Sequence, residues 1–147
     1  MAGFTASLAM LTLLYVLPSI GAPRLNVFGE LSTVSPHSDW WAAPLEYLIL
    51  GAIVFPTFYS TLLFKDLSGQ PWQKGLMWGL ILWAVRGIVV MPIMGQGFFS
   101  VHSAHPIASV IETFVGHALY GILLGAIAGD LSSQRIKIVK SKVPSKR

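Results

Sequence analysis

The sequence predicts an all-α fold, an antiparallel bundle of four transmembrane helices, on three observations. The chain is 54% hydrophobic and only 11% charged, against roughly 25% charged residues in an ordinary soluble domain. Four segments, about residues 4–20, 44–64, 75–94 and 106–128, are apolar over the roughly 20 residues that a helix needs to cross a hydrocarbon core. Finally, the connections between them are marked by Gly, Pro, Ser and Asn, and no alternating strand pattern competes with the helical reading. With 147 residues, residues 1–131 make one transmembrane domain, and 132–147 a basic tail.

The first span could be confused with a secretion signal. Residues 1–7 carry no Lys or Arg and no small-x-small cleavage pattern follows, so it is expected to stay in place. The second span follows a long loop, 21–43, with Trp40 and Trp41 just ahead of it. Trp72 stands likewise before the third span. Indole rings favour the headgroup level, so these residues are expected as anchors. Pro56 and Pro92 each remove a backbone hydrogen bond, and are expected to bend spans two and three.

Charge sets the expected direction. Six of the ten Lys and Arg residues fall between Arg135 and Arg147, so the net charge of +4 belongs to a tail and not to a nucleic-acid-binding face. Lys65 and Lys74 flank the short loop, which a four-span chain puts on the same side as both termini. Eight basic residues then lie on that side and Arg24 alone on the other. The positive-inside rule predicts cytoplasmic termini in the inner (cytoplasmic) membrane. The bilayer is thus the first expected partner, with anionic lipid at the tail SSQRIKIVKSKVPSKR. The absence of cysteine rules out disulfides and thiolate chemistry.

Small residues predict the packing. Gly121, Gly125 and Gly129 recur every fourth residue and so share a face of span four, letting another backbone approach. Thr113 and His117 prolong that stripe. Gly75, Gly79 and Gly87 give span three a matching face, interrupted by Trp83, so a close contact between spans three and four is expected.

Three ionisable groups fall within the apolar segments. Arg86 lies about 16 Å into span three and Glu112 about 9 Å into span four, at 1.5 Å per helical residue. Leaving either charge alone in hydrocarbon costs at least ~2.5 kcal/mol. Arg86 is therefore expected to pair, with Glu112 or with Glu46, either fixing helix register or lining a polar cavity for an ion, a proton or a quinone-like headgroup. His117 could be a haem or metal ligand, a proton relay, or a neutral ring bonded to a neighbouring helix. No other span contains a histidine, which speaks against a bis-histidine haem, and no cofactor is assigned. Glu112 and His117, five residues apart, diverge by about 140° on a helix and are expected to act separately.

The loops add His37, Asp39, His102 and His105. His102 and His105 are the remaining metal candidates, although Pro106 disfavours a helical conformation at His105. No H-E-x-x-H, Walker, G-x-G-x-x-G or G-x-S-x-G motif occurs, so no reaction is indicated and enzymatic activity is not the leading expectation.

The stretch GLMWGLILWAVRGIVVMPIMGQGFF, with GHALYGILLGAIAG further on, resembles small bacterial four-helix membrane proteins of unknown function. In these a Met-Pro turn and a glycine-rich loop precede a last helix with a His-x-x-Tyr-Gly pattern, here His117, Tyr120 and Gly121. The resemblance implies a fold and a location but no reaction. Three functions stay open: an accessory or assembly subunit of a larger membrane complex, which is favoured; a small transporter or channel using Arg86, Glu112 and His117; and a membrane enzyme or cofactor carrier. Self-association or other membrane subunits are the expected protein partners.

Overall fold

The computed structural model describes residues 1–22, 28, 31–32, 41–63 and 69–142. Arg24, His37, Asp39, Trp40 and Lys65 lie outside these residues. The described residues form four helices, each long and apolar enough to cross a membrane, and no strand is present among them. Helix α1 covers Ala2–Val16 and runs on through a 3-10 turn, Leu17–Ile20, with Pro18 at its second position. Helix α2 starts at Ala42–Ile49, passes a π-turn at Leu50–Val54, resumes over Phe55–Phe58 and ends in a second π-turn, Tyr59–Leu63. Helix α3 is built the same way, from Pro71–Val85, a π-turn at Arg86–Val90, and Met91–Ile93. Helix α4 is unbroken over Pro106–Lys142.

Two boundaries differ from the expected ones. Helix α3 begins four residues before Gly75, because Pro71 suits the first helical position and Gln70 caps it. The Gln70 N–H donates to Gln73 Oε1 at 2.8 Å, closing a reciprocal cap. Helix α4 runs past residue 131 into the expected tail. No proline interrupts 107–142, and the Lys and Arg of that stretch are good helix formers.

Spans α3 and α4 meet antiparallel along their glycine faces. A Cβ on Gly75 would run into the Gly121 carbonyl oxygen, and one on Gly79 into that of His117. Pro71 lies against Gly125 and Gly129 at one end of the seam. Backbone-to-backbone approach of this kind is what small residues every fourth position allow. Helix α1 crosses α2 in the same manner, Gly3 against Pro56 and Ser7 against Gly51, and meets α4 where Met10 covers Gly116. Between α2 and α3 the contact is made by side chains close to their short connection: Tyr59 stacks on Trp78 with ring centroids 6.5 Å apart. Ala6, Met10, Leu14, Tyr59, Trp78, Tyr120 and Leu124 form the buried core.

Two of the π-turns, at Leu50–Val54 and Arg86–Val90, have a chemical cause. A proline ring inside a helix clashes with the carbonyl four residues back, and widening the turn relieves the clash. In α2 the Phe55 N–H bonds to the Leu50 carbonyl, five residues back, and the next residue is Pro56. In α3 the Met91 N–H bonds to the Arg86 carbonyl, and the next residue is Pro92. The two prolines thus do more than bend their spans: each leaves a glycine carbonyl, Gly51 or Gly87, without its donor in the widened register.

At the far end of α3 the chain turns through Gly95 and Gly97, both at positive φ, and places Phe99 across Gly87. Phe99 (φ 50°) and Ser100 (φ 60°) share that left-handed conformation, at a cost of about 1–3 kcal/mol each. The gain is an aromatic cluster, with Trp83 4.8 Å from Phe99 and 5.3 Å from Phe114, centroid to centroid.

Candidate functional site

The four helices enclose a cavity of about 310 Å³ in the half of the bundle away from the short 62–70 connection. All four contribute: Ser7, Met10 and Leu14 from α1, Tyr47, Gly51 and Phe55 from α2, Arg86 and Met91 from α3, and Thr113, His117 and Tyr120 from α4. Leu31, from the connection between α1 and α2, also lines it. Most of the wall is aliphatic, thioether or aromatic. Val85 is on the wall and is 47% exposed, so the cavity reaches the bundle surface beside α3, on the side of α2.

Its polar groups are held by the backbone features just described. The Tyr120 hydroxyl donates to the Gly51 carbonyl at 2.7 Å in a buried bond, supplying the donor that Pro56 lacks. The Tyr47 hydroxyl donates to the Ser7 carbonyl at 3.4 Å, and Phe28 packs edge-on against the Tyr47 ring at 5.9 Å. Thr113 turns its hydroxyl to the Ser109 carbonyl at 2.6 Å. Ser7 Oγ is different, being buried against Gly51 with no hydrogen-bond partner.

His117 has a defined tautomer. Its Nδ1 is 2.7 Å from the Thr113 carbonyl oxygen. A carbonyl only accepts, so Nδ1 carries the proton and Nε2 of the neutral ring keeps its lone pair. Arg86, the first residue of the α3 π-turn, shares the wall with His117 and is near enough to act on it electrostatically. Arg86 is the sole Lys, Arg, Asp or Glu among the described lining residues. Donor and acceptor thus share one part of an otherwise apolar chamber.

Glu112 is elsewhere. It is buried, it is not on the cavity wall, and its Oε1 has no hydrogen-bond partner. The expectation that its carboxylate compensates Arg86 is corrected accordingly. Arg86 faces the same chamber as His117, and the roughly 140° between positions 112 and 117 turns Glu112 away from it. The titratable group that reaches Glu112 electrostatically is His105. His102 and His105 are exposed, with His102 Nδ1 3.4 Å from the Gly95 carbonyl. Among the described residues no three His, Asp or Glu side chains gather as a metal would require.

Sequence reasoning missed the cavity residues Ser7, Tyr47 and Gly51, although a signal was available. Leu50-Gly51-Ala52-Ile53-Val54-Phe55-Pro56 and Arg86-Gly87-Ile88-Val89-Val90-Met91-Pro92 share one pattern, a glycine five residues before a proline within an apolar run. Both copies are π-turns, and both reach the cavity. π-turns inside helices gather at functional sites.

Fold and cavity together define a small all-α protein of the multi-pass membrane type, with a largely apolar chamber between its helices. The chain belongs to the family of unknown function DUF6789, whose model matches residues 1–139. No curated protein and no solved structure matches it.

Proposed function

We propose that the protein resides in the inner (cytoplasmic) membrane with both termini in the cytoplasm, and there holds a lipid-soluble, amphipathic small molecule in the chamber around Arg86 and His117. The observation that carries this reading is a 310 Å³ cavity with an apolar wall and a few convergent polar groups. That size and lining are those of small-molecule sites. An arginine kept within a span serves a bound or moving species by default.

The chamber's opening beside Val85 supports exchange with the lipid phase. The buried Tyr120–Gly51 bond lies between the chamber and the short-connection end, which argues against a continuous aqueous path and so against a channel. The protein serves as an accessory subunit, keeping its ligand for a larger membrane complex. The basic tail adds attraction to anionic lipid, at ~1 kcal/mol per residue near the surface.

The test is solvent extraction and mass spectrometry of the protein purified in mild detergent, beside a Val90→Trp variant that fills the chamber. A lipid-soluble compound at about one per chain in the parent, and depleted in the variant, is expected. Equal amounts in both would overturn the reading.

A further inference from the structure

The polar groups of the chamber leave a ligand one pole. Three hydroxyls on the wall already give their protons to backbone carbonyls: Tyr47 to Ser7, Thr113 to Ser109 and Tyr120 to Gly51. Ser7 Oγ is packed against Gly51, out of a ligand's reach. Arg86 and His117 differ, because both are only partly buried where they line the chamber, and Arg86 is near enough to act on His117 electrostatically. The guanidinium presents several N–H donors in a planar fork, so it can serve a bound head group beside other partners. The imidazole presents an acceptor, since the Nδ1–Thr113 bond holds the ring's proton and leaves the Nε2 lone pair. Donor and acceptor together call for a head that accepts and donates from neighbouring atoms.

From this pole we infer that the chamber takes a carboxylic acid on a single apolar tail, a fatty acid. The inference rests on the chamber being a ligand site, and it names the ligand's class. The carbonyl oxygen accepts from Arg86 and the hydroxyl donates to His117 Nε2, both oxygens standing on one carbon. An ester, a quinone or a fully ionised phosphate brings acceptors alone and sets one of them against the Nε2 lone pair. An amine head brings a second cation to Arg86. An alcohol has a single oxygen for both partners. The tail has Met10, Leu14, Phe55 and Met91 to lie against, where thioethers pack adaptably, and its end leaves past Val85 into lipid. Binding alone is inferred, with no reaction at the carboxyl group.

The experiment uses the full chain in mild detergent and radiolabelled palmitic acid, with bound label counted by scintillation proximity. Unlabelled palmitic acid, methyl palmitate and hexadecanol are the competitors. The label is expected to bind saturably at about one per chain and to be displaced by the unlabelled acid. The ester and the alcohol are each expected to displace it about tenfold less well, the order of one lost hydrogen bond. His117→Leu should weaken the acid about tenfold and leave the ester unchanged, so that the two become alike. The order of the competitors is measured on the parent, and the test therefore stands if His117→Leu fails to fold. Equal displacement by acid, ester and alcohol would overturn the carboxylic-acid inference and leave the chamber a ligand site, as would a folded His117→Leu protein that binds the acid as the parent does. The same follows if the acid does not bind saturably while another compound, depleted by Val90→Trp, is extracted from the purified protein. No saturable binding and no such compound would overturn both.

Discussion

The Tyr120 hydroxyl and the Gly51 carbonyl, 69 residues apart in sequence, are joined by a buried 2.7 Å hydrogen bond that spans the bundle from α4 to α2. Gly51 precedes Pro56 by five residues, so its carbonyl would have no helical donor in the π-turn. The phenol fills the gap left by the proline ring, and one tyrosine thereby couples a backbone irregularity to the opposite helix.

Replacing Tyr120 with Phe removes that donor and keeps the ring. The buried carbonyl is then unpaired, at a cost of about 1–3 kcal/mol, and thermal unfolding in detergent should occur at a lower temperature. Pro56→Ala restores a backbone N–H. In the double variant the Tyr120→Phe loss should shrink, and a thermodynamic cycle of the four proteins measures the coupling. Strict additivity would mean that the phenol does not answer the proline.

The seam between α3 and α4 predicts a second contrast. A Cβ on Gly125 would meet the Pro71 carbonyl oxygen and the Gly75 backbone, whereas Ala126 is exposed. Gly125→Leu should force the helices apart and cost several kcal/mol, as overpacking does, with loss of a monodisperse peak in gel filtration. Ala126→Leu should behave like the parent.

Glu112 supplies a third. Its Oε1 is buried and unpartnered, and it lies off the chamber that Arg86 lines, so Glu112→Gln should leave stability unchanged or raise it by about 1 kcal/mol. Combined with Arg86→Gln the effects should add. A rescue of Arg86→Gln by Glu112→Gln would show that the two charges compensate each other after all.

Topology gives a fourth, made simple by the absence of cysteine. Single cysteines at Ser103 and at Ser145, labelled in intact cells with an impermeant maleimide, should react at 103 and stay protected at 145. The reverse pattern would invert the orientation proposed from the basic residues.

Much of this architecture was legible as periodicity. Apolar runs of sufficient length mark four spans, and the four-residue spacing of Gly121, Gly125 and Gly129 marks the face that meets Gly75 and Gly79. The angle between positions 112 and 117 was legible too, and it already argued against a shared role for Glu112 and His117. Depth alone suggested pairing Glu112 with Arg86, because depth carries no azimuth; the π-turn that begins at Arg86 and the way α3 sits on α4 decide which wall the guanidinium takes. The chamber was not legible, since it arises from helices that touch through Tyr59 and Trp78 at one end and surround a space at the other. The left-handed Phe99 was hidden for a similar reason: a phenylalanine adopts that conformation only for what it packs on, here Gly87 and Trp83.

Helix α4 has 37 residues without interruption, which at 1.5 Å each makes a rod of about 55 Å. A hydrocarbon core is only about 30 Å thick, so the rod projects well clear of the lipid. Thr113, His117 and Tyr120 stand on that same uninterrupted rod, so one edge of the chamber and the projecting turns are a single continuous helix.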